Sequence, residues 1–141
     1  MTIRIPTATR NAAADAIADR CDVGTTNPGA TLRIYSGPQP ASANSAATGT
    51  LLAEVELDTP AFGAADVGVT TLAGVPLATV GLPAAGTGTA AGWFRIVDRD
   101  EATVVDGTVG TAGTDLIVNT ATFSENVAFE ITSGTLTMPA G

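Results

Sequence analysis

The stretch Leu51-Leu-Ala-Glu-Val-Glu-Leu57 gives the clearest evidence about the fold of this chain. Leu51, Ala53, Val55 and Leu57 alternate with positions that include two glutamates. This period-two pattern is typical of a strand with one buried face and one solvated face. The stretch therefore predicts a half-exposed antiparallel sheet.

Other stretches extend the β pattern along the chain. Trp93-Phe-Arg-Ile-Val97 carries bulky side chains on both faces, which favours a strand in the middle of the domain. Asp106-Gly107 has the composition of a hairpin turn, and Ser133-Gly134 is expected to turn the chain into a last strand. Further strands are predicted at residues 30–35, 103–105, 115–119, 126–132 and 135–138.

One amphipathic helix is predicted, at residues 8–22. Ala13, Ala16 and Ile17 recur at helical spacing, while three aspartates share another face. Thr7 or Thr9 would cap the start of this helix, and Gly24 would end it.

A chain of 141 residues fits one domain. We expect a mainly β fold, a single antiparallel β-sandwich or barrel-like domain of about seven or eight short strands with one N-terminal α-helix. Residues 1–6 would form an N-terminal arm, 8–22 the helix, and 30–138 the strands and loops. The side chains expected to anchor the core are Ile17, Leu32, Ile34, Val55, Trp93, Phe94, Ile96, Phe129 and Ile131.

Charge and hydropathy exclude some partners. The net charge is −8, and the six basic residues are all scattered arginines, whereas binding to nucleic acid needs clustered positive charge. The uncharged run from Val67 to Phe94 contains six glycines and two prolines, so a membrane-spanning helix is not expected. The N-terminus has no apolar stretch typical of a secretory signal, which indicates synthesis in the cytoplasm without export by that route.

The sequence indicates a protein that is not an enzyme. It has no histidine and no lysine, which removes the commonest general base and the amine of Schiff-base chemistry. Glu54 with Glu56 has the residue types of a glycosidase pair, and Asp98, Asp100 and Glu101 have those of calcium ligands, but both groups are predicted to be solvated. Gly86-Thr-Gly88 lacks the rest of a dinucleotide fingerprint. Cys21, the only cysteine, is expected to be a small buried residue. We predict no catalytic residue, cofactor or metal.

Several phrases of the sequence resemble a family of small structural proteins of tailed bacteriophages and prophages. They include Leu32-Arg-Ile-Tyr-Ser-Gly-Pro-Gln-Pro40, Gly49-Thr-Leu-Leu-Ala53, Ala91-Gly-Trp-Phe-Arg95 and Asp106-Gly-Thr-Val-Gly110. With Ala14-Asp-Ala-Ile17 and Pro60-Ala-Phe-Gly63 they cover most of the chain in order. The turn Asp98-Arg-Asp-Glu101 departs from the family pattern, where a turn containing glycine is expected.

The resemblance implies a virion protein, most simply a capsid decoration or cement protein that bridges major capsid protein subunits on the outside of the shell. Self-association, as a trimer for instance, fits such a role. Two alternatives remain open: a structural protein of the tail or head-to-tail junction, and a receptor- or carbohydrate-binding module in which Tyr35 and Trp93 would stack on sugars. The residues expected at interfaces are Ile3, Ile5, Pro6, Tyr35, Pro38, Pro40, Val75, Leu77 and Leu82.

Overall fold

The computed structural model describes residues 2–140, and in this range the chain forms one α-helix and ten strands. The prediction of a mainly β fold with an N-terminal helix is confirmed. The elements are α1 (Thr7–Arg20), β1 (Thr31–Tyr35), β2 (Leu51–Glu56), β3 (Val69–Thr71), β4 (Leu77–Val80), a 3-10 turn (Pro83–Ala85), β5 (Thr89–Ala90), β6 (Trp93–Val97), β7 (Thr103–Gly110), β8 (Leu116–Val118), β9 (Thr122–Phe123) and β10 (Ala128–Thr137).

Eight strands form one curled sheet with the shape of a half-barrel. Seven follow the order β2-β1-β6-β7-β8-β10-β3, while β4 also pairs with β10, and β5 with β9 forms a separate ribbon. All pairs are antiparallel except β7 with β8, which run parallel. The Leu82 N–H donates to the Leu52 carbonyl at 2.8 Å, so the chain after β4 reaches β2 at the other end of the strand order. The strand count exceeds the predicted seven or eight because β3, β4 and β5 of the uncharged run and β9 were not predicted, although the strands predicted at residues 126–132 and 135–138 are one strand, β10.

The core lies on the concave face of the sheet, where apolar side chains of neighbouring strands are in register. Leu32 pairs with Ile96 and Ile34 with Phe94 across β1 and β6. Seven of the nine expected core anchors are buried. Six lie in this core, namely Leu32, Ile34, Phe94, Ile96, Phe129 and Ile131, while Trp93 is buried on the opposite face of the sheet. Val55, on the edge strand β2, is half-buried against the core.

Helix α1 ends at Arg20, with Cys21 at the C-cap position, and not at Gly24 as predicted, and it differs from the prediction in two further respects. Ile17 is half-buried and not a core anchor, because Ala14, Ala18 and Cys21, four and three residues apart, occupy the inward face. Neither predicted threonine caps the helix; Pro6 stands at the N-cap position and makes no side-chain cap bond. Within residues 2–140, no helix has the length and apolarity needed to cross a membrane.

Two predicted turns lie inside strands instead. Asp106-Gly107 is in the middle of β7, and Ser133-Gly134 is in the middle of β10. A Cβ on Gly107 would lie 2.5 Å from Cε1 of the Phe94 ring, and one on Gly134 would lie 3.1 Å from Cβ of Leu72. These glycines therefore make room for core side chains, which is a role that their dipeptides alone do not indicate.

Candidate interaction surfaces

The convex face of β1 and β6 is covered by the loop of residues 36–50. Tyr35 and Trp93, partners in the β1–β6 register, stack with ring centroids 4.7 Å apart. The Trp93 indole Nε1 donates to the Thr48 carbonyl at 3.2 Å, and the residue is 0% exposed. Because its ring is enclosed, Trp93 cannot stack on a sugar at the surface, as the carbohydrate-binding alternative requires.

A buried ion pair holds the same loop. Arg95 Nε lies 2.7 Å from Asp106 Oδ1, and its Nη2 lies 2.8 Å from Asp106 Oδ2, with the side chains 7% and 3% exposed. Arg95 Nη2 also donates to the Ser45 carbonyl at 3.0 Å. The hydrogen bonds to Asp106 raise the pKa of Arg95. The guanidinium carbon lies 5.3 Å from the centroid of the Trp93 ring, so the cation also packs on the indole face.

Of the two glutamates on β2, Glu54 forms an ion pair that links strands of the sheet. Arg33 Nε lies 2.7 Å from Glu54 Oε2, and Arg33 Nη2 lies 2.6 Å from Glu101 Oε2. Glu54 is therefore paired across the β1–β2 register, while Glu56 is exposed. This arrangement joins β1, β2 and the turn that follows β6 through one guanidinium.

The acidic turn after β6 also makes structural bonds. Asp98 was expected to be solvated, but it is 2% exposed, and its Oδ1 accepts the N–H groups of Asp100 and Ala102, both at 2.9 Å. Asp100 Oδ1 accepts the Thr25 N–H at 2.9 Å and the Thr26 N–H at 3.0 Å. These bonds lower the pKa of Asp100. Within residues 2–140 no group of three or more cysteine, aspartate or glutamate side chains is placed to hold a metal ion.

Two further features of the sequence, Cys21 and Gly86-Thr-Gly88, lie in surroundings that explain them without a functional site. Burial, followed by the charges of Asp22 and Asp98, raises the pKa of the Cys21 thiol to about 12. Gly86-Thr-Gly88 follows the 3-10 turn, and the Gly88 N–H donates to Ser124 Oγ at 2.8 Å. The glycines thus lie in a surface loop and do not connect a buried strand to a helix.

The predicted interface residues lie in three parts of the chain. In the arm, Ile3 is 70% exposed, Pro6 is exposed and Ile5 is half-buried. In and beside the 36–50 loop, Pro38 is exposed, whereas Tyr35 and Pro40 are half-buried. Around β4, Val75 is 37% exposed, while Leu77 and Leu82 are half-buried. Apolar side chains are therefore available at the surface in the arm and next to β4.

A groove that the sequence did not predict opens between β7 and β10. Strand β8 pairs with β7 only at Val109 and Gly110, so the earlier part of β7 and the last part of β10 are not bridged by a strand. The groove contains a cavity of about 150 Å³. Its lining includes Leu32, Phe94, Ile96, Val105, Leu136 and, at one end, Asp115. We refer to it as the β7–β10 groove.

Comparison of the chain with protein-family models, with curated proteins and with solved structures gives no match.

Proposed function

We propose that this protein is a non-enzymatic structural protein of a tailed bacteriophage virion, and that it decorates the outside of the capsid by binding major capsid protein subunits. The observation that carries the proposal is the arrangement of the phrases that resemble the phage family. The phrases at residues 32–40, 49–53, 91–95 and 106–110 are distant in sequence, but they lie on the neighbouring strands β1, β2, β6 and β7.

Contacts between these phrases give them a common structural purpose. Tyr35 of the first phrase stacks on Trp93 of the third, and Arg95 of the third binds Asp106 of the fourth. The resembling residues thus form one packed unit, which is expected when a family shares an architecture and not only short motifs.

The use of charged groups also supports a binding role. Glu54, Asp98, Asp100 and Asp106 are bonded to arginines or backbone N–H groups that hold strands and loops together. Apolar side chains such as Ile3 and Val67, at 70% and 57% exposure, are by contrast at the surface. Binding of another protein over these side chains would remove their apolar surface from water. Since bridging several subunits makes later contacts effectively intramolecular, each contact needs only modest affinity.

The test is to image particles of the phage that encodes the protein by cryo-electron microscopy, with and without the gene. We expect the half-barrel to fit density present in many copies on the outer capsid surface, and this density to be lost from the deletion particles. Adding the purified protein back should restore it. Density in a few copies at the tail or neck would contradict the capsid assignment, and absence from the particle would overturn the virion role itself.

A further inference from the structure

We propose that the N-terminal arm of one copy, residues 2–6, inserts as a short added strand into the β7–β10 groove of a second copy. The inference concerns contacts between copies of this chain. It therefore does not depend on where the protein is located in a virion.

The groove has free backbone groups on both sides. Along a strand, the backbone N–H and C=O groups of successive residues point alternately to the two neighbouring strands. The Thr108 N–H donates to Asp115 Oδ2 at 3.0 Å, so the backbone groups of Thr108 point away from β6. By alternation, the N–H and C=O of Asp106 also face the groove. On the opposite side, the Thr135 N–H donates to the Asp115 carbonyl at 2.9 Å, so Thr137 faces the groove in the same way. Asp115 thus closes one end of the groove and leaves a short open length beside it.

The floor of the groove accepts an apolar side chain. Leu32, Phe94 and Ile96 form part of the lining, with Val105 and Leu136 at the sides. A cavity of about 150 Å³ lined by such side chains is large enough to hold benzene. One isoleucine side chain therefore fits this cavity.

The arm has the matching chemistry. Thr2-Ile-Arg-Ile-Pro6 combines β-branched residues in period two with a proline that stops the strand. The Ile5 N–H donates to the Ala140 carbonyl at 3.2 Å, which anchors the base of the arm, while Ile3 remains 70% exposed. The residues before Ile5 span about 10 Å when extended, which suits a groove with so few free backbone groups.

Charge favours a second copy as the occupant. The first 14 residues contain Arg4 and Arg10 and no carboxylate, whereas the whole chain has a net charge of −8. The groove carries Asp115 at its end, and its other lining carboxylate, Asp106, is already paired with Arg95. An inserted arm therefore brings Arg4 towards Asp115, with Ile3 over the cavity. Each copy offers one arm and one groove, so the contact is head-to-tail and forms a closed ring if the rotation between copies permits it.

The test uses the purified full-length protein and cysteine cross-linking. Thr2→Cys and Thr137→Cys proteins, which keep Ile3, are mixed under mild oxidation, and disulfide-linked dimers are measured on a non-reducing gel. We expect the mixture to give far more dimer than either protein alone. The matched control is a mixture of Thr2→Cys with Val127→Cys, because Val127 is 56% exposed but lies outside the groove. Cross-linking no greater than in this control would overturn the proposal.

Sedimentation over a wide range of concentration gives an independent readout that keeps the native cysteine content. We expect the wild-type protein to self-associate and Ile3→Asp to raise the dissociation constant by at least about tenfold, the effect of losing one buried isoleucine. Val127→Asp should leave it unchanged. A wild-type protein that stays monomeric at every concentration, or an Ile3→Asp variant that associates normally, would also overturn the proposal. Because no capsid is present, these results do not depend on the virion role.

Discussion

Arg95 and Asp106 face each other across β6 and β7 and form a two-point ion pair beneath the 36–50 loop. The pair is almost fully enclosed, so water cannot replace either charged partner when the other is removed. It joins two strands in the middle of the sheet to the loop that covers Trp93.

Removing one partner of this pair should destabilise the fold strongly. We expect Asp106→Ala to lower the free energy of unfolding by about 3–5 kcal/mol, because the Arg95 cation would remain buried without its carboxylate. The double variant Arg95→Met with Asp106→Leu should recover most of the loss, since it leaves no charge behind. Denaturant unfolding of the three proteins measures this. A loss below about 1 kcal/mol in Asp106→Ala, typical of an exposed pair, would contradict the burial.

The 36–50 loop should shield Trp93, the only tryptophan in the chain. Replacing residues 41–48 with a short Gly-Ser linker removes the Thr48 carbonyl that accepts the indole N–H. We expect the emission of the native variant to shift to longer wavelength and to become accessible to quenching by iodide. Shortening the exposed loop at residues 111–113 is the control and should leave the emission unchanged. An unshifted spectrum after the first replacement would show that the loop does not cover the ring.

Gly107 should resist substitution although its dipeptide looks like a turn. Gly107→Ala places a methyl group against the Phe94 ring, and we expect a loss of about 1–3 kcal/mol in the free energy of unfolding, as in other overpacked cores. Gly63→Ala is the matched control, because the nearest atom to its added Cβ is 3.8 Å away. Equal thermal stability of the two variants would favour the turn that the sequence predicted.

The parts of the fold that sequence reasoning predicted are those fixed by local pattern. Alternation in residues 30–35 and 53–57 agrees with the side chains that face the core, and these strands occur close to the expected positions. At the start of β2 the prediction is wrong: an irregularity in the β1–β2 register puts Leu52 in the core, and Leu51, which was expected there, pairs with Tyr35. Gly107 and Gly134 were misread because the reason for each glycine is a neighbour distant in sequence, Phe94 in one case and Leu72 in the other. A dipeptide contains no information about that neighbour.

Surface features, too, can be predicted from the sequence when their cause is local and not when it depends on distant residues. Exposure of Ile3 follows from its place in a short arm before a helix. The β7–β10 groove, by contrast, depends on how far β8 extends between its neighbours, which is a matter of long-range strand register. Burial of Asp98 was also missed, because its sequence surroundings are polar, whereas in the fold it lies beside Arg20 and Cys21 at the end of the distant helix α1.

Cys21 should be chemically inert in the folded protein. With a pKa of about 12, raised by burial and then by Asp22 and Asp98, the thiol has almost no reactive thiolate at neutral pH. We expect iodoacetamide to modify it only after denaturation, as measured by mass spectrometry. Rapid modification of the native protein, at a rate independent of denaturant, would contradict this environment.

The raised pKa of Cys21 also predicts loss of stability in alkali. Between the ordinary pKa of 9.0 and about 12, the unfolded chain releases the thiol proton while the native chain retains it. The thiol's contribution to stability is therefore complete below the lower value and is lost as the pH rises. Unfolding of wild type and Cys21→Ala as a function of pH measures this, and the wild type should lose its advantage on the alkaline side. A constant difference between the two proteins would show that the thiol does not titrate differently on folding.

Asp100 should contribute stability at the opposite end of the pH range. The Thr25 N–H, the Thr26 hydroxyl and the Thr26 N–H all donate to its carboxylate and hold its pKa below the ordinary 3.8. Since the folded pKa is the lower one, the contribution is present above the unfolded pKa and is lost as the pH falls through the folded value. We expect Asp100→Asn to be less stable than wild type at neutral pH and the difference to shrink in acid. Asp19→Asn, which changes an exposed carboxylate on α1, serves as the control.

Carbon-detected NMR of the Asp100 carboxyl group measures the titration directly, and Thr26→Val should move its midpoint upwards. A midpoint at the ordinary value in the wild type, unchanged by Thr26→Val, would mean that the turn after β6 is not fastened to residues 25–26 through this carboxylate.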